Sequence, residues 1–318
     1  MSKPSRGSHW STGRGQTERV LHPVLSDDVA RALADGRPVV ALESTIFSNL
    51  GLPSPANAQA LDRCLGAIRR GGAVPAVTAV LDGVARVGLY ADEHPRILGS
   101  ARKVAERDVP VAIAQEWEFG ATTVSASLAI AAAAGISVFA TGGIGGVHRD
   151  TDTIGDVSAD LDALANHPVV TVSAGAKAFL DLPRTLELLE TAGVPVLGWR
   201  HDDFPAFYTR SSGLPVPHRV ETAEEVAGVL EHRTRERTGV LVVVPIPEAS
   251  ALDQAELDAV IAGALSDCAA ERVTGAAVTP FVLARIGAAT EGRSVPANLA
   301  LAENNARVAA EIAVAITL

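Results

Sequence analysis

The chain has 318 residues, 47% of them hydrophobic but only 4% aromatic, with 28 Gly and a formal net charge of −10. A pI near 5.3 leaves no surplus of Lys and Arg to neutralise phosphate, which excludes general attraction to nucleic acid or to an anionic membrane surface. Cys64 and Cys268 are its only cysteines; they are far apart and lack C-x-x-C spacing, so neither a disulfide framework nor a structural zinc site is expected, and a reducing cytoplasm is the natural setting.

Residues 1–20 are polar, basic and rich in Gly and Ser, without the apolar centre of a secretory signal, and read as a disordered tail ahead of one domain at 21–318. No apolar run is long enough to span a bilayer. From Leu25 onward, short apolar runs alternate with amphipathic stretches, the pattern of strands fed by crossover helices. Strands are predicted at 38–45 and 73–83, the second closed by Asp82-Gly83 with 84–90 as a hairpin partner, which makes the sheet mixed. Between these two strands a helix follows Pro55 and runs to about Arg70. The stretch 121–135 reads as a buried helix closed by Gly135, and 136–141 as a strand. A glycine-rich turn comes next. Beyond it lie a helix opened by Ser158, strands at 168–175 and 194–199, and between those strands a helix at 178–193 interrupted by Pro183. Residues 201–220 have no helical period and read as a long loop near a site or interface. The apolar run 238–247 is a buried strand, and helices at about 253–270 and 299–316 complete the chain.

Ligands of open α/β sheets bind where strands end, which singles out Glu43, the turn TGGIGGVHRD (141–150), Lys177, and Pro245 to Glu248. Lys177 stands in AGAKAFLDL; a desolvated amine loses its proton and attacks carbonyls, whereas a lysine extended to solvent does neither. Glu43 reads either as a general acid, if buried, or as a carboxylate accepting backbone N–H groups. The glycine turn suits an anion cradle or a plain tight turn; it does not fit G-x-G-x-x-G, and no GK[ST] follows. Asp152, Asp156 and Asp160 recur every four residues, as metal ligands or as helix N-terminal charge. His148 alone reads as structural.

Together, VVALEST, GGAVPAVTAVLDG, KVAERD, GATTVSASL, VFATGGIGGVHR, DVSADL, SAGAKAFLDL, GVPVLGW, PAFYTRSS, PIPE, VTPFVLARI and ANLALAENNARVAAEIA resemble, in order and over nearly everything after the tail, the pseudouridine-5′-phosphate glycosidase family, which includes the indigoidine synthase A-like proteins. The resemblance implies an α/β fold, three-layer α/β/α around a central mixed β-sheet, in a single catalytic domain assembled as a homotrimer. It implies an enzyme that makes or breaks the carbon–carbon bond at C1′ of ribose 5-phosphate, interconverting pseudouridine 5′-phosphate and water with uracil and ribose 5-phosphate through a lysine imine. By the same resemblance Lys177 is the nucleophile, Glu43 the proton donor and Asp156 the ligand of one Mn²⁺. Lys103, Val124, Thr141, Ser158, Ala159 and Asp160 match substrate-contacting positions, and His148 and Asn298 match the surroundings of sugar and base. A carbon–carbon glycosidic bond has no basic leaving atom to protonate, so an imine electron sink suits the task better than two carboxylates.

Three places depart from the family pattern: Ser48-Asn49-Leu50-Gly51, where a His before Gly is usual; Gly155, where Phe is usual; and Val244, where Asn is usual. They imply an altered aglycone pocket, and with it an alternative activity: a C-glycosynthase attaching ribose 5-phosphate to an aromatic acceptor in antibiotic biosynthesis, such as that of alnumycin. A non-catalytic phosphosugar-binding protein is disfavoured by the presence of Lys177, Glu43 and Asp156, and a nicotinamide-dependent dehydrogenase by the glycine spacing.

Overall fold

The computed structural model describes residues 21–149 and 155–317. Asp152 and the tail at 1–20 lie outside the described residues. Eleven strands form one sheet: β1 (Val24–Leu25), β2 (Val39–Leu42), β3 (Val74–Leu81), β4 (Val84–Val87), β5 (Arg102–Val104), β6 (Phe119–Thr122), β7 (Val138–Ala140), β8 (Val170–Ser173), β9 (Val196–Trp199), β10 (His218–Val220) and β11 (Val240–Val243). Their order is β1-β4-β3-β2-β7-β8-β11-β9-β10, with β6 pairing β3 and β5. From β3 through β2, β7, β8, β11 and β9 to β10 every pairing is parallel. Of these, β2, β7, β8, β11 and β9 are buried along their whole length and mostly apolar, as VLVV in β11 illustrates, because helices cover both faces.

The eight-residue β3 makes the sheet mixed. Its first half pairs β2 in parallel, while its second half runs antiparallel to β4 and β6. The hairpin to β4 turns through Asp82 and Gly83, both left-handed at φ 50° and 72°, as a tight two-residue connection requires.

Two groups of helices flank the sheet. Helix Ser294–Thr317 packs against helices Ala56–Arg70 and Ala223–Glu231 and lies on β2, β7 and β8. Alanine is the commonest of its buried residues, and it approaches closely: a Cβ on Gly71 would lie 2.5 Å from the Ala310 methyl carbon. The other group comprises helices Val124–Ala133, Ala159–Asn166 and Leu182–Ala192.

Several boundaries differ from the sequence reading. Residues 119–122 are strand β6, so the helix expected at 121–135 starts only at Val124, after Thr123. Pro183 opens a helix rather than interrupting one, because its missing N–H is harmless in the first turn; Asp181 caps that helix by accepting from Arg184 N–H. The loop at 201–220 ends in β10. The last helix begins at Ser294, and an additional helix, Val278–Ala289, pairs with Gln254–Ala270.

Candidate active site

Strands β2, β7 and β8 are neighbours and parallel, so their carboxyl ends deliver Glu43, Thr141 and Lys177 to the same edge of the sheet. All three strand ends border a cavity of about 380 Å³. It is also lined by Lys103 from β5, by Val124 at the start of its helix, by His148, by Asp156 to Asp160, and by Asn298. Every residue to which the family resemblance gives a role within the described region therefore borders the cavity or, as Thr141 does, bonds a residue that does. Pro245 to Glu248 do not; Arg210 and Asn304 bond the carbonyls of Ile246 and Pro245 instead.

Glu43 is buried, and its Oε1 accepts a short hydrogen bond from the Thr141 hydroxyl. Burial pushes its pKa from the ordinary 4.5 to about 6, against the opposing pull of Lys177 and the Thr141 bond. It is thus partly protonated near neutrality, which a proton donor needs. Lys177 is half-buried, and its Nζ donates to Gly143 O at 3.3 Å. The turn that carries it depends on Gly175, left-handed at φ 74°, where a Cβ would stand 2.1 Å from Pro205 O. Phe207, also left-handed at φ 62°, donates its N–H to Ala174 O and lines the cavity. The long loop thus packs on the lysine turn, as a loop near a site.

Asp160 acts as a strut. Its Oδ1 accepts from Ser125 N–H at 3.0 Å and its Oδ2 from Gly145 N–H at 2.8 Å, tying the start of helix Val124–Ala133 to the glycine turn. Ser158 caps the helix that carries Asp160. Within the glycine turn, Ile144 N–H goes to Gly175 O and Val147 N–H to Thr185 Oγ1. With Gly145 also engaged, three N–H groups of this turn are bonded within the protein. Its glycines answer to packing: a Cβ on Gly143 would meet the Phe207 ring at 2.5 Å, and one on Gly146 the Thr185 hydroxyl at 2.4 Å.

Lys103 is exposed at the cavity mouth, yet surrounding protein and the charge of Lys177 push its pKa down. Two lysines bordering one cavity suit an anionic ligand such as a phosphate. Asp156 lies across from His148, with Oδ2 and Nε2 3.9 Å apart. No three His, Cys, Asp or Glu side chains converge as a metal cage among the described residues. A single carboxylate fits a hard divalent ion that keeps most of its waters, and does not fit an enclosed centre. Asn298 borders the cavity and is buried, and its Oδ1 lacks a partner among the described residues.

Of the departures, Leu50 lines the cavity, as do Ile46, Thr279 and Leu283; a Cβ on Gly155 would meet nothing within 4 Å among the described residues; Val244 is buried away from the cavity. Sequence reasoning missed Arg107, Ser125, Phe207 and Leu283 as lining residues. Each lies beyond its nearest strand end or on an undetected helix, and only the folded chain brings them round.

Fold and site together define an α/β protein with a lysine–carboxyl small-molecule site at the carboxyl ends of its strands. The sequence model of the indigoidine synthase A-like proteins matches residues 28–315, and the chain belongs to that family. It is 50% identical over 300 residues to the pseudouridine-5′-phosphate glycosidase of Sorangium cellulosum, covering 93% of this chain and 94% of that protein. It is 49% identical over 304 residues to the protein of the same name from Methylobacterium nodulans, covering 93% and 89%. Among solved structures, the prealnumycin C-glycosynthase AlnA in complex with ribulose 5-phosphate superposes with a TM-score of 0.85 at 38% identity, covering 94% of this chain and 98% of that one. An indigoidine synthase A-like protein from Thermotoga maritima gives 0.84 at 33% identity, covering 99% and 100%.

Proposed function

We propose that the protein is a C-glycosidase that converts pseudouridine 5′-phosphate and water to uracil and ribose 5-phosphate, and reverses the reaction, through an imine between Lys177 and C1′ of the ring-opened sugar. The observation that carries this reading is the meeting of Lys177 and a buried Glu43 with raised pKa in one cavity that also holds Lys103. Identities of 50% and 49% with proteins named as such glycosidases support it.

In this reading the Lys177 amine, freed of its proton, bonds C1′ as the ring oxygen leaves with a proton. The nitrogen lone pair then forms the C1′–N double bond as the bond to the base breaks, and the electron pair of that broken bond goes to the base carbon. Glu43 delivers the proton that the base carbon takes up, and Thr141 keeps its carboxyl aimed. Water then hydrolyses the imine and releases ribose 5-phosphate. Lys103 and the backbone N–H of Val124 take the phosphate, while Ser158, Ala159 and Asp160 shape the sugar seat. His148 borders the sugar, and Asn298 Oδ1 accepts an N–H of the base. One Mn²⁺ per subunit, held by Asp156 and waters, would supply positive charge beside the anionic sugar. The working form is a cytoplasmic homotrimer, each subunit one catalytic domain.

A second reading, a C-glycosynthase joining ribose 5-phosphate to an aromatic acceptor in antibiotic biosynthesis, is favoured by the apolar wall of Ile46, Leu50 and Leu283. Both readings share the lysine step. Protein incubated with Mn²⁺ and ribose 5-phosphate, then reduced with borohydride, is expected to carry a sugar-phosphate adduct on Lys177 that Lys177→Ala lacks. Absence of the adduct sinks both. Cleavage of pseudouridine 5′-phosphate then selects the first reading, and turnover only with aromatic acceptors the second.

A further inference from the structure

Helix Ser294–Thr317 sends one fully buried amide, Asn305, to the carboxyl end of β7. Its Nδ2 donates to Thr141 O at 2.8 Å and to Gly142 O at 3.2 Å. Thr141 Oγ1 in turn donates to Glu43, and Gly143 O accepts from Lys177 Nζ. Three consecutive residues, 141–143, therefore bond both reacting side chains, and Asn305 grips the first two by their carbonyls.

We propose that Asn305 is a positioning residue that fixes Glu43 and Lys177 relative to one another through the Thr141–Gly143 segment. The proposal rests on the proton-donor and nucleophile roles given above. A primary amide puts two N–H groups on one nitrogen, which lets a short side chain bridge adjacent carbonyls. The arrangement has a cost, because Asn305 Oδ1 is buried without a partner among the described residues. Gly142 O already has a donor in Ala174 N–H, at 2.9 Å. Satisfying backbone groups therefore explains only half of what Asn305 does. Packing does not take its place either: a small cavity lies behind Glu43, between Phe47, Cys64, Thr141 and Ala302. On that side the carboxyl is held by its hydrogen bond to Thr141, and Thr141 by Asn305.

Asn305→Leu removes both donors at similar volume. In cleavage of pseudouridine 5′-phosphate it is expected to lower kcat by about 100-fold, the scale of a small misplacement of reacting groups, with KM changed less than about threefold. Its pH–rate limb due to Glu43 moves to higher pH, in the same direction as in Thr141→Val, since the Thr141 bond favours the carboxylate. The double variant is expected to be no worse than the poorer single one. A variant with a lower melting temperature but an unmoved kcat and pH limb would overturn the proposal, and so would losses that multiply in the double variant. Asn305→Ser, less disruptive to packing, is read in the same way if the leucine variant does not fold. Borohydride trapping of ribose 5-phosphate on the unaltered protein separates the two levels: no adduct on Lys177 refutes the catalytic reading itself, whereas an adduct with a wild-type profile in both Asn305 variants refutes only the positioning role.

Discussion

Glu43 shows how one buried carboxyl makes stability depend on pH. A carboxyl that titrates at about 6 in the folded chain instead of 4.5 binds its proton more tightly folded than unfolded, so its contribution to stability is fully present below pH 4.5 and is lost as pH rises through 6. The loss amounts to about 2 kcal/mol. Glu43→Gln is therefore expected to be more stable than wild type by about 2 kcal/mol in denaturant titrations at pH 8, to match it at pH 4, and to be inactive. An equal difference at both pH values would show that charge burial is not the cause. For activity the sign is the same: in the proposed role as proton donor Glu43 loses its proton above about pH 6, and kcat/KM of the wild type is expected to fall on that limb.

Among the elements, the turn after β8 and the hydroxyl cluster beneath β2 hold the site's shape. Gly175→Ala forces a Cβ into Pro205 O and into a left-handed φ, and is expected to destabilise by about 3 kcal/mol or more, seen as a lowered denaturation midpoint. A loss under about 1 kcal/mol would mean that the turn gives way. Thr78 Oγ1 contacts Leu42 O, Thr122 Oγ1 and Ser127 Oγ in the buried layer; Thr78→Val strands these partners and is expected to cost about 1–3 kcal/mol by the same measurement. Element type was legible where apolar runs were long, as in β3 and β11. It was not in β1, β5 and β6, short strands that lie in no extended apolar run. Helix Val124–Ala133 is buried nearly all round, so it carries no amphipathic signal to mark its start. At the site, Lys177 and Glu43 stood out because charged groups followed apolar strands. Asn305 did not, since an asparagine on an alanine-rich helix looks the same whether it meets solvent or the end of β7.

Over the whole molecule, the cavity gathers residues from Glu43 to Asn298, so a ligand that fills it ties together segments distant in sequence. Ribose 5-phosphate at about 100 times its dissociation constant is expected to add about 2.7 kcal/mol to stability and to raise a single melting transition by several degrees. A transition that splits, with only part shifting, would refute the proposal of one catalytic domain. None of the described helices is long and apolar enough to cross a membrane. Helix Ser294–Thr317, which brings both Asn298 and Asn305 to the site, follows every strand in the sequence. A ribosome therefore makes all eleven strands before the segment that completes the reaction centre exists. During synthesis the nascent sheet waits with the face formed by β2, β7 and β8 uncovered, and chaperones that bind exposed apolar surface have their target there until the final helix docks.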